Sequence, residues 1–154
     1  MGKVWGHDVR GGVVTGAAAV AVAATFVWLG MVLAISFLEA PLKFRAPGVT
    51  LRVGLGIGRL VFRALNAAEV VLAVTVLASL VAGSSHTSVM VPLAVAAAIL
   101  AVQLVFVRPR LTRRSDAVLA GQDVPRSHAH HAYIALEAGK TVALLVGGIA
   151  LLAS

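Results

Sequence analysis

Residues 89–107 read Val89-Met-Val-Pro-Leu-Ala-Val-Ala-Ala-Ala-Ile-Leu-Ala-Val-Gln-Leu-Val-Phe-Val107, with no charged residue and one polar side chain, Gln103. A helix of about 20 predominantly apolar residues crosses a hydrocarbon core of about 30 Å, and its backbone satisfies its own hydrogen bonds there. The run therefore reads as a spanning helix. Three more stretches, about 13–42, 59–82 and 131–152, read the same way. The expected fold is an all-α, four-helix transmembrane bundle forming a single integral membrane domain over 1–154.

Composition agrees. The 154 residues are 60% hydrophobic and 12% charged, and mean hydropathy is +0.98. Soluble domains run near ~45–50% apolar and ~25% charged, so an ordinary soluble domain is excluded. Cysteine is absent, which removes disulfide scaffolds, thiolate zinc sites and cysteine nucleophiles. The net charge of +7 is carried mostly by Arg, and in a membrane chain its meaning depends on where the cations lie. Arg over Lys and abundant Ala and Val point to a GC-rich bacterium.

Pro41 and Pro47 are read as closing the first span, residues 83–88 as a short hairpin, and Pro109 and Pro125 as bracketing a polar link. Tight connections make sequential helices antiparallel neighbours. Lys43, Arg45 and Arg52 fall in one loop (43–58), and Arg108, Arg110, Arg113, Arg114 and Arg126 in another (108–130), while the middle loop has no Lys or Arg. Basic loops stay cytoplasmic, so a bacterial inner-membrane topology with both termini outside is expected. The Arg cluster is expected to meet anionic lipid headgroups, not nucleic acid. A signal peptide competes for residues 1–40, but that apolar run is about twice a usual h-region, so it is expected to remain as a span.

The second and fourth spans resemble each other. Residues 64–71 read Ala-Leu-Asn-Ala-Ala-Glu-Val-Val and residues 135–142 read Ala-Leu-Glu-Ala-Gly-Lys-Thr-Val, which matches Glu69 with Lys140. A duplication would relate two helical hairpins as parallel repeats about an axis along the membrane normal.

All three Asp residues lie outside the spans, and Glu39, Glu69 and Glu137 lie inside them or at their ends. A charge at a helix centre costs about 2.5–3.5 kcal/mol on insertion scales, so such residues pair or line a pathway. Residues three or four apart share a helix face. Arg52, Arg59, Arg63, Asn66 and Glu69 form one stripe, and His130, Tyr133, Glu137, Lys140 and Thr141 another. Counting along the helices puts Glu69, Glu137 and Lys140 near the midplane, with Glu39, Gln103, Arg59, Arg63 and His130 nearer the cytoplasm. Ion pairs that only hold helices in register are the structural alternative to a site for a solute, ion or proton.

His128, His130 and His131 precede the fourth span and could hold a metal or haem, or act as an anchor or pH-responsive gate. Gly54-x-Gly56-x-Gly58 lacks the context of a dinucleotide or Walker loop and suits close helix packing. No hydrolase constellation is present.

Trp28-Leu-Gly30 through Phe37-Leu-Glu39-Ala-Pro41-Leu-Lys43-Phe, then Gly58-Arg59-Leu-Val-Phe62 and Leu65-Asn66, resemble small four-span bacterial membrane proteins of a domain-of-unknown-function type. His130, Tyr133 and Glu137 would fill the start of the family's last helix. The resemblance implies a four-span fold and no settled activity. Three functions stay open on the residues. One is a small transporter or solute-binding protein, with Glu69, Glu137 and Lys140 at its centre and Asn66, Glu39, Arg59, Arg63, Gln103 and Tyr133 around them. The others are a metal- or haem-bearing redox subunit and a non-catalytic accessory subunit. No cofactor is the leading expectation, and a transport path is expected to need a homodimer.

Overall fold

The computed structural model describes residues 9–83, 86–122 and 129–154, with side chains from Gly16 onward in the first helix and from His131 onward in the last. Every regular element among them is helical: α1 (Val9–Val32), α2 (Ala40–Leu42), α3 (Leu51–Ala82), α4 (Thr87–Val102), α5 (Arg108–Leu119) and α6 (Ala129–Leu152). Two π-helical turns, Leu33–Glu39 and Gln103–Val107, join α1 to α2 and α4 to α5. The chain is thus an all-α four-helix bundle. Its four continuous helical stretches, Gly16–Arg45, Leu51–Ala82, Thr87–Leu119 and His131–Leu152, are long and apolar enough to cross a membrane. Only 28% of the most apolar window of Leu51–Ala82 is buried in the bundle, so Val71, Val74 and Val81 face outward. That surface is compatible with a multi-pass membrane protein.

Two helices are longer than expected. The chain from Leu51 to Gly58 is helical rather than loop, and begins where the Thr50 hydroxyl accepts the Val53 N–H, an N-cap. At ~1.5 Å per residue, α3 with its 32 residues is about 48 Å long, beyond what a bilayer core requires. Pro109 does not end the third stretch, because the π turn that runs into α5 accommodates its ring. Both extensions brace each other: Arg59 Nη2 lies 2.6 Å from Asp116 Oδ1, and Arg52 Nη2 donates to Leu119 O at 2.7 Å.

A π turn precedes each of Pro41 and Pro109, whereas Pro92 lies in the early part of α4 without one. A proline ring collides with the carbonyl four residues back, and a widened turn relieves that conflict. The Ala40 N–H accordingly reaches Ile35 O just before Pro41, and the Arg108 N–H reaches Gln103 O just before Pro109.

α1 packs mainly on α3 and α6, and α6 on α4; α3 and α4, consecutive in the chain, touch far less. The expectation that all sequential helices are close neighbours therefore holds for each hairpin but only marginally between them. The core seam reads Leu65, Glu69, Ala73, Val76 and Leu80 on α3, and Val89, Leu93, Ala96, Leu100, Gln103 and Val107 along α4 and its π turn. On α6 it reads Tyr133, Glu137, Lys140, Leu144 and Leu151. Steps of three and four keep one face inward, so the polar residues interrupt the same seam that the apolar core occupies.

Candidate functional site

Five buried side chains from all four long helical stretches converge. Lys140 Nζ donates to Glu69 Oε1, to Gln103 Oε1 at 2.9 Å and to Glu137 Oε1 at 3.2 Å. Trp28 Nε1 donates to Glu69 Oε1 at 2.9 Å, and Gln103 Nε2 to Glu137 Oε1 at 3.2 Å. Lys140, Glu69 and Trp28 are 0% exposed. One ammonium thus serves two carboxylates, and both carboxylates leave their Oε2 buried with no hydrogen-bond partner. Buried polar atoms are normally paired; the buried Tyr133 hydroxyl, which has no other partner, is a donor close to Glu137, whereas Glu69 Oε2 has no such neighbour among the described contacts.

Local sequence explains the convergence. Glu137 and Lys140 are one turn apart on α6, which lets both reach the same point. Gln103 arrives from the first residue of its π turn. Trp28 fills the space between α1 and α3 in a span otherwise rich in small residues, and its indole N–H needs an acceptor when buried.

A cavity of about 520 Å³ adjoins the cluster and reaches Glu137 and Tyr133. Its walls are mostly apolar and aromatic, with Phe37, Phe44, Phe62 and Ile134 among them. Three cations also line it: Lys43, Arg59 and Arg108. Lys43 Nζ is 3.2 Å from Glu39 Oε2 and 5.2 Å from the Phe62 ring centre. Arg108 stacks on Phe62 at 4.9 Å and lies 5.9 Å from the Tyr133 ring centre. Its Nη2 donates to Phe62 O at 2.7 Å, while its buried Nε has no partner. The rings of Phe62 and Tyr133 meet edge to face at 5.7 Å.

Of the residues singled out from the sequence, Glu69, Glu137, Lys140 and Gln103 come together, and Tyr133 lies between the cluster and the cavity. Gln103, expected nearer the cytoplasmic end, bonds Lys140 directly. Glu39 pairs with Lys43, not with Arg63. Arg59 binds Asp116 on α5 rather than an intramembrane Glu. Arg63 is exposed and Asn66 half-buried, and neither joins the cluster. On α3 both Leu65 and Asn66 lie a turn before Glu69, and packing selects Leu65 for the inner face. The sequence reading gives Trp28 no place in the site and puts Lys43 and Arg108 in cytoplasmic loops; a tryptophan alone in an Ala- and Val-rich span is the signal for the first.

His128 lies outside the described residues, as does the side chain of His130, and His131 is exposed on the first turn of α6. Among the described residues no group of three or more His, Cys, Asp or Glu side chains is arranged to hold a metal. Comparison with protein-family models, with curated proteins and with solved structures gives no match for the chain.

Proposed function

We propose that the chain is a small inner-membrane transporter whose Glu69–Glu137–Lys140–Gln103 cluster takes up and releases a proton or a monovalent cation as its coupling step. The observation that carries the reading is a fully buried cluster in which one ammonium serves two carboxylates, the Arg108 guanidinium outside it being a further positive charge that acts on both acids. The second carboxylate has no ammonium of its own inside the cluster, which is costly in a low-dielectric interior, and a proton or cation there would balance it. The cavity beside Glu137 supplies a route toward the basic side of the bundle. Cluster and cavity both lie within one chain, and a transport path through two such chains stays the expected arrangement.

The test is pH-difference infrared spectroscopy of the protein in nanodiscs, with and without Na⁺. A carboxyl C=O band should appear on acidification, shift in Na⁺, and be lost in Glu69→Gln or Glu137→Gln. Identical spectra for wild type and both variants, with no Na⁺ effect, would overturn the proposal. The accessory-subunit reading draws support from the way the cluster ties four helical stretches together. It predicts that these variants lose stability while no carboxyl titrates.

A further inference from the structure

Resting on the reading of this site as a solute site, we infer that the cavity binds an organic anion: a carboxylate or phosphate head held by Arg108, with an apolar body against the aromatic walls. Arg59 and Lys43 are already committed to Asp116 and Glu39. Arg108 has no carboxylate in direct contact among the described residues, and its charge acts on Glu69 and Glu137 only at longer range. The guanidinium is held by two aromatic rings and one carbonyl, and the residue lines the cavity. An arginine fixed in this way at a cavity wall is suited to a planar or tetrahedral oxyanion.

The rest of the cavity argues for an apolar body. Phe37, Phe44, Phe62, Leu55, Leu111 and Ile134 line it, and about 520 Å³ is within the usual range for small-molecule sites. Gly54 and Gly58 keep the α3 wall thin. A Cβ on Gly54 would lie 2.4 Å from the Phe44 ring, and one on Gly58 would lie 2.9 Å from Lys43 Nζ. Glu137, at the deep end, is the one acid on the lining. A bound anion would therefore be opposed by an ionised Glu137 and favoured when a proton or cation neutralises it, which couples the cavity to the cluster.

The same head chemistry can come from a free organic acid or from a lipid, and the experiment separates the two. Binding of octanoate, and of octanol as the uncharged control, is measured calorimetrically on the whole protein in phosphatidylcholine nanodiscs. Bound phosphatidylglycerol is measured by mass spectrometry after purification. Saturable octanoate binding at least tenfold tighter than octanol, and weakened at least tenfold in Arg108→Gln, supports a free organic anion. No octanoate binding, but phosphatidylglycerol retained by wild type and lost in Arg108→Gln, supports the same site filled by a lipid. Octanol binding as tightly as octanoate, or Arg108→Gln behaving as wild type toward both ligands, would overturn the inference.

Should Arg108→Gln fail to fold, Ile134→Trp narrows the cavity while keeping Arg108. Full binding of whichever anion the wild type takes in that variant would overturn the inference, and loss of it supports the site. The infrared signal is read in the same nanodiscs. A carboxyl band without any anion binding overturns this inference alone, and anion binding without a band overturns the proposed coupling alone.

Discussion

At the scale of single residues, Lys140 is the side chain on which the interior depends most. It is fully buried and donates to both carboxylates. Breaking a buried ion pair by removing one partner typically costs about 3–5 kcal/mol, because the other charge is left uncompensated. Lys140→Met should therefore lower the thermal unfolding midpoint in detergent far more than Trp28→Phe. The latter deletes one donor to Glu69 and leaves an aromatic ring in place, at about 1–3 kcal/mol. Equal losses in melts followed by far-ultraviolet circular dichroism would show that packing, not charge balance, governs this point. The acids, Lys140 and Gln103 could be found in the sequence because a polar residue within an apolar run is conspicuous. Arg108 could not, since its sequence neighbours are other arginines on an apparently solvated segment. Only the position of the Phe62 carbonyl and ring distinguishes it from Arg110 or Arg113.

At the scale of elements, glycines divide by what their missing Cβ would meet. A Cβ on Gly147 would lie 2.6 Å from Leu93, which is itself 0% exposed and has nowhere to move. Overpacking of that kind costs about 1–3 kcal/mol. Gly30 has nothing within 4 Å, so alanine there should add about 0.5–1 kcal/mol through helix propensity. Gly147→Ala is expected to destabilise and Gly30→Ala to be neutral or stabilising; melts with the reverse order would contradict the α4–α6 packing.

The π turns make a second prediction. A π turn holds one extra residue without rotating the helix on either side. Deleting the exposed Val105 should regularise the helix and keep Gln103 and Arg108 on their faces. Deleting Val95 from α4 should instead turn everything beyond it by about 100° and disrupt the bundle. Monodisperse elution of the first deletion and aggregation of the second is the expected result. Apolar periodicity made the existence of these helices legible. Their ends were not, because Pro109 and the glycines of 54–58 carry breaker signals that a widened turn and close packing override.

At the scale of the molecule, the distribution of Arg and Lys predicts both basic ends on the cytoplasmic side. The chain has no cysteine, so single cysteines report sidedness cleanly. In intact cells a membrane-impermeant maleimide should label the Thr87→Cys variant, and label Arg113→Cys only after permeabilisation; the opposite pattern would invert the bundle. The duplication expected from the sequence would make Glu69 and Lys140 equivalent, and the two side chains touch. Equivalent positions that meet would lie near the axis relating them, where two acids or two bases would repel. A π turn before a proline recurs in both hairpins, although α1–α6 packing is more extensive than α3–α4 packing. Near such an axis a swap should be tolerated: Glu69→Lys with Lys140→Glu should recover much of the stability that either single change removes.

What the sequence by itself determined was the membrane-compatible, all-helical class and the short list of charges that must be compensated inside it. Both follow from local quantities, the hydropathy of a window and the cost of burying a charge. The tertiary structure alone decided which partner compensates which charge. A residue three back and a residue four back lie equally close on a helix, so Leu65 and Asn66 compete for one face until neighbouring helices pack. It also decided that Trp28, forty-one positions from Glu69, would supply a donor, and that Arg108 would face a cavity instead of solvent. Contacts of that separation depend on how helices are arranged around one another, which no single window of sequence encodes.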